Sequence, residues 1–224
     1  FIALSLTQVF ASVSYSQSTS LTLKMKNVSI EDVLNKIEEK TEFRFLYNKD
    51  VKTRRKTMKP KLHFTAPYHW INDPNGLIYY KGNYHIFYQH FPYDNKWGTM
   101  HWGHAITKDF VNFEHLPIAL YPSKDFDRNG CFSGSAIEID GQLYLYYTAI
   151  KYAKENPSNV HNQYSDDDLR ASQALVVSSD GIHFDNVKNK KQIIPMIQEA
   201  YLGDYRHTRD PKIWKKQDGK YAMV

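Results

Sequence analysis

The apolar positions of this chain follow two different rhythms. In the first stretch, Leu21-Thr22-Leu23-Lys24-Met25 alternates as a strand does. Ile30, Val33, Leu34 and Ile37 then recur at helical spacing, behind a capping-box variant made by Ser29 and Asp32. Phe43-Arg44-Phe45-Leu46-Tyr47 returns to the strand pattern. From Leu62 onward only the strand rhythm remains. Leu77 to Tyr80 and Tyr84 to Tyr88 flank the turn Lys81-Gly82-Asn83 and predict a hairpin rich in aromatic and β-branched residues. Ala136 to Ile139 and Leu143 to Thr148 flank Asp140-Gly141, Ala174 to Ser178 and Ile182 to Phe184 flank Asp180-Gly181, and Lys212 to Lys215 and Lys220 to Val224 flank Asp218-Gly219. The last three turns recur roughly every forty residues, the period of four-stranded propeller blades. The pattern therefore predicts an all-β, partial β-propeller of about three blades, with an immunoglobulin-like sandwich as the weaker alternative.

Composition agrees with sheets. Aromatic residues reach 15%, with 17 Tyr, which favours strand surfaces over helical bundles. The formal net charge is +5, and much of the excess lies in one run, Lys49, Lys52, Arg54, Arg55, Lys56, Lys59 and Lys61. That run has no interleaved aromatics and no nucleic-acid reading module beside it, so it reads as a solvated linker rather than a nucleic-acid contact. Cys131 is the single cysteine, which excludes an intrachain disulfide and a cysteine zinc site. His101 and His104 are three apart on an extended run and face opposite ways, so no metal is expected. No cofactor is implied.

The domain reading follows from these shifts. Residue 1 is Phe, and the apolar run to Val13, followed by small polar residues, reads as a secretory h-region that has lost its basic start. A buried strand is the alternative, and the run is too short to span a bilayer. Residues 1–17 are thus expected to be a truncated signal peptide, 18–51 a β-α-β unit, 52–61 a basic linker, and 62–224 the sheet-rich part.

The chemistry concentrates around Trp70-Ile71-Asn72-Asp73-Pro74-Asn75-Gly76. Pro74 fixes its own φ and biases Asp73 towards an extended backbone, while Asn75-Gly76 can bend sharply. A carboxylate held at the end of a strand by such a turn suits a nucleophile or base, although an Asx-Pro turn alone would look the same. Four more stretches stand out: Phe87-Tyr88-Gln89-His90, Trp97 to His104, Cys131-Phe132-Ser133-Gly134-Ser135, and Thr208-Arg209-Asp210-Pro211.

Taken in order, these five motifs resemble glycoside hydrolase family 32, the invertases, levanases, inulinases and sucrose-6-phosphate hydrolases, over residues 62–224. Ile71 stands where the family usually has Met. The resemblance implies a five-bladed propeller and retaining hydrolysis of β-fructofuranosidic bonds in a fructose-containing oligo- or polysaccharide. It implies Asp73 as the nucleophile and Asp210 as the stabiliser of the transition state. Asn72, Gln89, Trp97, Phe132, Ser133 and Arg209 are then the implied sugar contacts, Asn72 either touching sugar or orienting Asp73. Trp102 and His104 read as wall, and Cys131 as a small buried hydrophobe. Residues 21–51 are similar to the first half of the secretin and TonB N-terminal domain, and no chemistry attaches to them.

The family's acid/base is a glutamate in a Glu-Cys-Pro motif beyond Asp210, and no Glu-Cys dipeptide occurs here. The chain as given is therefore expected to be catalytically incompetent. Two rivals stand beside the hydrolase: a fructan-binding or sensing module that does not cleave, and a fused or truncated gene model. The polar stretch from Lys151 to Asp168 is expected to shape the outer rim of the site. Localisation divides the same way, periplasmic or secreted if the leader is genuine, and otherwise cytoplasmic.

Overall fold

The computed structural model describes residues 63–156 and 166–224, together with Asp32, Asn35, Lys36, Ile37 and Glu39. Those five are helical, where the 3.6-residue period predicts a helix, and Lys36 pairs with Glu39 at 2.8 Å. The expected leader, the strands at 21–25 and 43–47, the basic linker and the tip of the 151–168 stretch lie outside the described residues. The chain divides into two units, Phe1–Tyr47 and Asn48–Val224. No helix among the described residues is long and apolar enough to cross a membrane.

The second unit is built of antiparallel strands in sequence order. β1 (Trp70–Tyr80), β2 (Asn83–Phe91), β3 (His101–Thr107) and β4 (Phe113–Leu120) form one four-stranded sheet. β5 (Gly130–Ile139), β6 (Gln142–Tyr152), β7 (Leu169–Ser178) and β8 (Lys191–Ile194) form a second. β9 (Ile213–Lys215) and β10 (Tyr221–Met223) pair with each other alone. These are two complete propeller blades and the first hairpin of another. The β1–β2 and β5–β6 hairpins close through Lys81-Gly82 and Asp140-Gly141, all four with positive φ. Such two-residue turns match the twist of the strands they join, and glycine takes the second position without a Cβ penalty.

The core fills the space between the two blades. Tyr80, Phe87 and Trp102 of the first meet Leu143, Leu145, Tyr147, Ala174 and Val176 of the second, all buried. Each fully buried large apolar side chain contributes about 1.5–3 kcal/mol. This packing fixes the approach of β1 to β5, the two strands that carry the candidate site.

One predicted hairpin does not form. Ile182–Phe184 is not a strand; the fourth strand of the second blade is Lys191–Ile194 instead. The Asp180 carboxylate accepts hydrogen bonds from the Ser178 hydroxyl and from the backbone N–H groups of Ile182 and His183, which ties the turn to itself. Phe184 then packs on Phe87 and His104, and buried Asn186 bonds the Ala119 carbonyl and the Tyr121 N–H. The segment crosses to the first blade before turning back. The forty-residue spacing was consequently a coincidence of unlike turns: Asp140-Gly141 joins the first and second strands of its blade, whereas Asp180-Gly181 follows the third.

A second feature, within the first blade, is a set of buried histidines on β2 and β3. His85 Nδ1 and His104 Nε2 are 3.0 Å apart, and His104 stacks on Phe87 at 4.3 Å. Burial lowers the His104 pKa to about 3 and that of His101 to about 4, and it also lowers His85 and His90. Unfolded, these rings take up protons near pH 6.5, so the unfolded state binds more protons between that value and the folded pKa values. Stability contributed by the neutral burial of His101 and His104 is complete above pH 6.5 and falls with acidification to about pH 4, by about 1.4 kcal/mol per pH unit for each of these two rings, and His85 and His90 act in the same direction. Denaturant midpoints measured from pH 7.5 to 4.5 should fall steadily; a flat profile would remove the histidines from the balance.

Candidate active site

Two bulges place the central residues. On β1 the register jumps between Ile71 and Pro74, so Asn72 and Asp73 together oppose Gln89 of β2. On β5 it jumps between Phe132 and Gly134, which leaves Ser133 as the extra residue. A bulge re-aims side chains out of the normal alternation. Here it lets the Ser133 hydroxyl donate to Asp73 Oδ2 at 2.8 Å across the junction between blades. Gly134 is required beside it, since a Cβ there would lie 2.0 Å from the Tyr146 carbonyl oxygen. Asp73 remains solvent-accessible. Asn72 accepts a hydrogen bond from Trp70 Nε1 at 2.6 Å, so its amide is oriented within its own strand.

The aromatic wall is equally local in origin. Trp97 lies in the loop between β2 and β3 and meets Phe132 edge-on at 5.6 Å. Gly98 next to it has the Phe91 ring where a Cβ would stand, 2.6 Å away, which pins the loop against the first blade. Phe132 packs on a small apolar cluster of Ile150, Tyr152, Leu169 and Ala171. Trp102 is fully buried and donates its indole N–H to the Phe132 carbonyl at 3.0 Å, behind the wall. Gln89 is also buried, and its amide donates to the Cys131 carbonyl at 3.1 Å, bracing β2 against β5.

Asp210 arrives from the segment between β8 and β9. Its φ is +63°, the left-handed region, although the residue precedes Pro211 and would otherwise prefer an extended backbone. A strained residue of this kind costs about 1–3 kcal/mol and persists only where its surroundings hold it. Partial burial raises the pKa of its carboxyl; the neighbouring Arg209 guanidinium opposes that shift and the Asp73 carboxylate adds to it. Asp73 and Asp210 are thus close enough to feel each other. The structure brings Asp73, Ser133, Phe132, Trp97 and Asp210 to one region, with Arg209 electrostatically coupled to Asp210, and sets Gln89 beneath it.

Sequence reasoning assigned no role to Thr148, Gln173, Asp127 or Lys190, all of which shape this region. Thr148 and Gln173 are buried polar residues in otherwise apolar runs of β6 and β7, which was the available signal. Asn75 is buried with neither amide atom hydrogen-bonded. Asp127 and Lys190 form a fully buried ion pair at 2.6 Å behind Cys131, joined by the Tyr147 hydroxyl at 2.8 Å. Cys131 is wholly buried, with its thiol pKa pushed up by burial. Among the described residues no group of three or more acidic, histidine or cysteine side chains is arranged to hold a metal ion.

These antiparallel four-stranded sheets are propeller blades, and similarity to known proteins assigns their family. Residues 63–224 match the model of the glycosyl hydrolases family 32 N-terminal domain, and the chain belongs to that family. It is 43% identical over 166 residues to the sucrose-6-phosphate hydrolase of Zymomonas mobilis, covering 74% of this chain and 30% of the relative. It is 39% identical to the levanase of Bacillus subtilis, covering 74% of this chain and 23% of that enzyme. Among solved structures, a Bombyx mori GH32 beta-fructofuranosidase variant in complex with sucrose aligns with a TM-score of 0.54 at 35% identity, over 71% of this chain and 30% of the other. The exo-inulinase of Aspergillus awamori aligns with a TM-score of 0.56 at 31% identity, over 73% and 34%. The chain spans about a third of the length of these relatives or less.

Proposed function

We propose that the protein hydrolyses β-fructofuranosidic bonds with retention of configuration, and that this chain supplies the nucleophile and the transition-state stabiliser. The observation that carries this reading is the Ser133–Asp73 hydrogen bond, which holds an exposed carboxylate beside an aromatic wall and within the field of a second carboxylate. Asp73 attacks the anomeric carbon of the fructosyl unit, forming an ester as the leaving group departs, and water then cleaves that ester. The Ser133 hydroxyl fixes the direction of the attacking oxygen. Trp97 and Phe132 offer apolar ring surface to the C–H face of the sugar, and Arg209 and Asp210 hold its hydroxyls. Asp210 gains strength as an acceptor when charge develops on the ring.

Sucrose, sucrose 6-phosphate and fructans are the substrates to be compared, since the relatives are named for hydrolysis of this class. The proton donor for the leaving group is assigned to no described residue. Retention is tested on the full-length protein by NMR of the first product, expected as β-fructofuranose; the α-anomer would reject the double displacement. In the same assay Asp210→Asn should lower kcat by about 10²–10³-fold, as loss of one electrostatic stabiliser does. A decrease below threefold would remove Asp210 from that role.

A further inference from the structure

The left-handed conformation of Asp210 has a specific support. Thr148 of β6 and Gln173 of β7 stand directly opposite each other, and Phe132 of the site is the partner of Thr148 on its other side. The Asp210 N–H donates to Thr148 Oγ1 at 2.7 Å. Thr148 Oγ1 in turn donates to Gln173 Oε1 at 3.2 Å, and Gln173 Nε2 donates to the Thr208 carbonyl at 2.7 Å. Two buried side chains therefore grip the peptide groups on both sides of Arg209. Beyond the aspartate, the buried Ser135 hydroxyl donates to the Pro211 carbonyl at 2.7 Å and accepts from the Ile213 N–H at 3.2 Å. Every donor in this chain has an acceptor, and the directions are mutually consistent, which makes the arrangement rigid.

We infer that Thr148 and Gln173 are positioning residues for Asp210, acting as a buried relay that holds the 208–210 peptide in the strained conformation which turns the Asp210 carboxyl towards Asp73. Neither side chain touches a reacting atom. Both are buried by blade strands, on the face from which the loop is suspended, so the relay converts the rigidity of the sheet into the placement of a loop residue. Ser135, on the strand that also carries Ser133, ties the far side of the loop to the same sheet. The second blade thereby holds Asp210 directly and reaches Asp73 of the first blade through Ser133, rather than leaving the pair to the loop.

The catalytic readout of this inference rests on the hydrolase reading; a second readout does not. In the full-length protein, Thr148→Val removes the hydroxyl at nearly constant volume, and Thr148→Ser keeps it. Thr148→Val should lower kcat by about 10–100-fold with KM changed less than about threefold, the effect of a small misplacement at the reacting centre. Thr148→Ser should stay within about threefold of the parent. Should Thr148→Val fail to fold, Gln173→Met severs the grip on the Thr208 carbonyl and is expected to cost about tenfold in kcat. The independent readout is the Asp210 carboxyl titration, followed by NMR with carboxyl-labelled aspartate and assigned with Asp210→Asn. Released from its strained and partly buried position, Asp210 should titrate lower in Thr148→Val than in the parent. A merely structural role would lower the melting temperature and leave both kcat and this titration in place, and that outcome overturns the inference. If the parent cleaves no fructoside, the titration alone decides: a lowered value supports the relay and an unchanged one ends it.

Discussion

Asp73→Asn in the full-length protein is expected to fold normally and to lose at least about 10⁴-fold in kcat, in keeping with removal of a covalent nucleophile. Asparagine fills the same space, and its amide oxygen can accept the Ser133 hydroxyl bond now made to Asp73 Oδ2. It cannot form the fructosyl ester. The exchange also removes a negative charge that holds the Asp210 pKa up, so Asp210 should titrate lower in this variant. Steady-state kinetics on sucrose, with a melting curve to show the fold intact, checks the first part. Turnover within tenfold of the parent would place the nucleophile elsewhere.

Lys190→Met is expected to be the most destabilising single change in the described part of the chain, by about 3–5 kcal/mol. Lys190 and Asp127 are both fully buried. Asp127 accepts from the Ser123 and Lys124 N–H groups as well as from Tyr147 and Lys190, so its carboxylate is fully engaged as an anion. Lys190 donates in addition to the Tyr121 carbonyl. Removing the ammonium strands a buried carboxylate with no countercharge, and the cost is that of the uncompensated charge rather than of one contact. The position matters for the site as well. The pair ties the segment entering β8 to the crossover between the blades, directly behind Cys131 and the strand that presents Phe132 and Ser133. Thermal unfolding of Lys190→Met should show a midpoint lowered by about 10 °C. A change below 2 °C would mean that water or a rearranged neighbour replaces the ammonium.

Much of the fold could be read from the sequence because hairpins are local. Leu77–Tyr80, Lys81-Gly82 and Tyr84–Tyr88 carry both their strand pattern and their turn chemistry within a dozen residues, and the structure forms them as read. The failure at Ile182–Phe184 has the opposite origin. Its alternation is that of a strand, but Asp180 consumes the N–H groups at its start, and Phe184 and Asn186 find their partners in the other blade. Nothing within the segment announces a contact with Ala119 or Phe87. The same holds for the site. Asp73, Ser133 and Asp210 were legible as members of ordered motifs, and the structure places Ser133 on Asp73 through two bulges that no periodicity predicts. Gln89 was read as a sugar contact through the family resemblance, and only the tertiary fold shows that one of its amide hydrogens also braces the Cys131 carbonyl. Thr148 and Gln173 stood out only as polar interruptions of apolar runs, and their roles, like those of Asp127 and Lys190, were illegible for the same reason: a buried polar side chain takes its meaning from a partner distant in sequence.

The claim on which the rest depends is that Asp73 becomes covalently bound to fructose. A fructoside with an activated leaving group makes ester formation fast relative to its hydrolysis, so the intermediate accumulates. The full-length protein quenched in acid during turnover and digested should yield a peptide spanning Asp73 that is heavier by one fructosyl residue, absent from the Asp73→Asn variant. Label on any other residue, or turnover without label and with release of the α-anomer, would contradict the assignment.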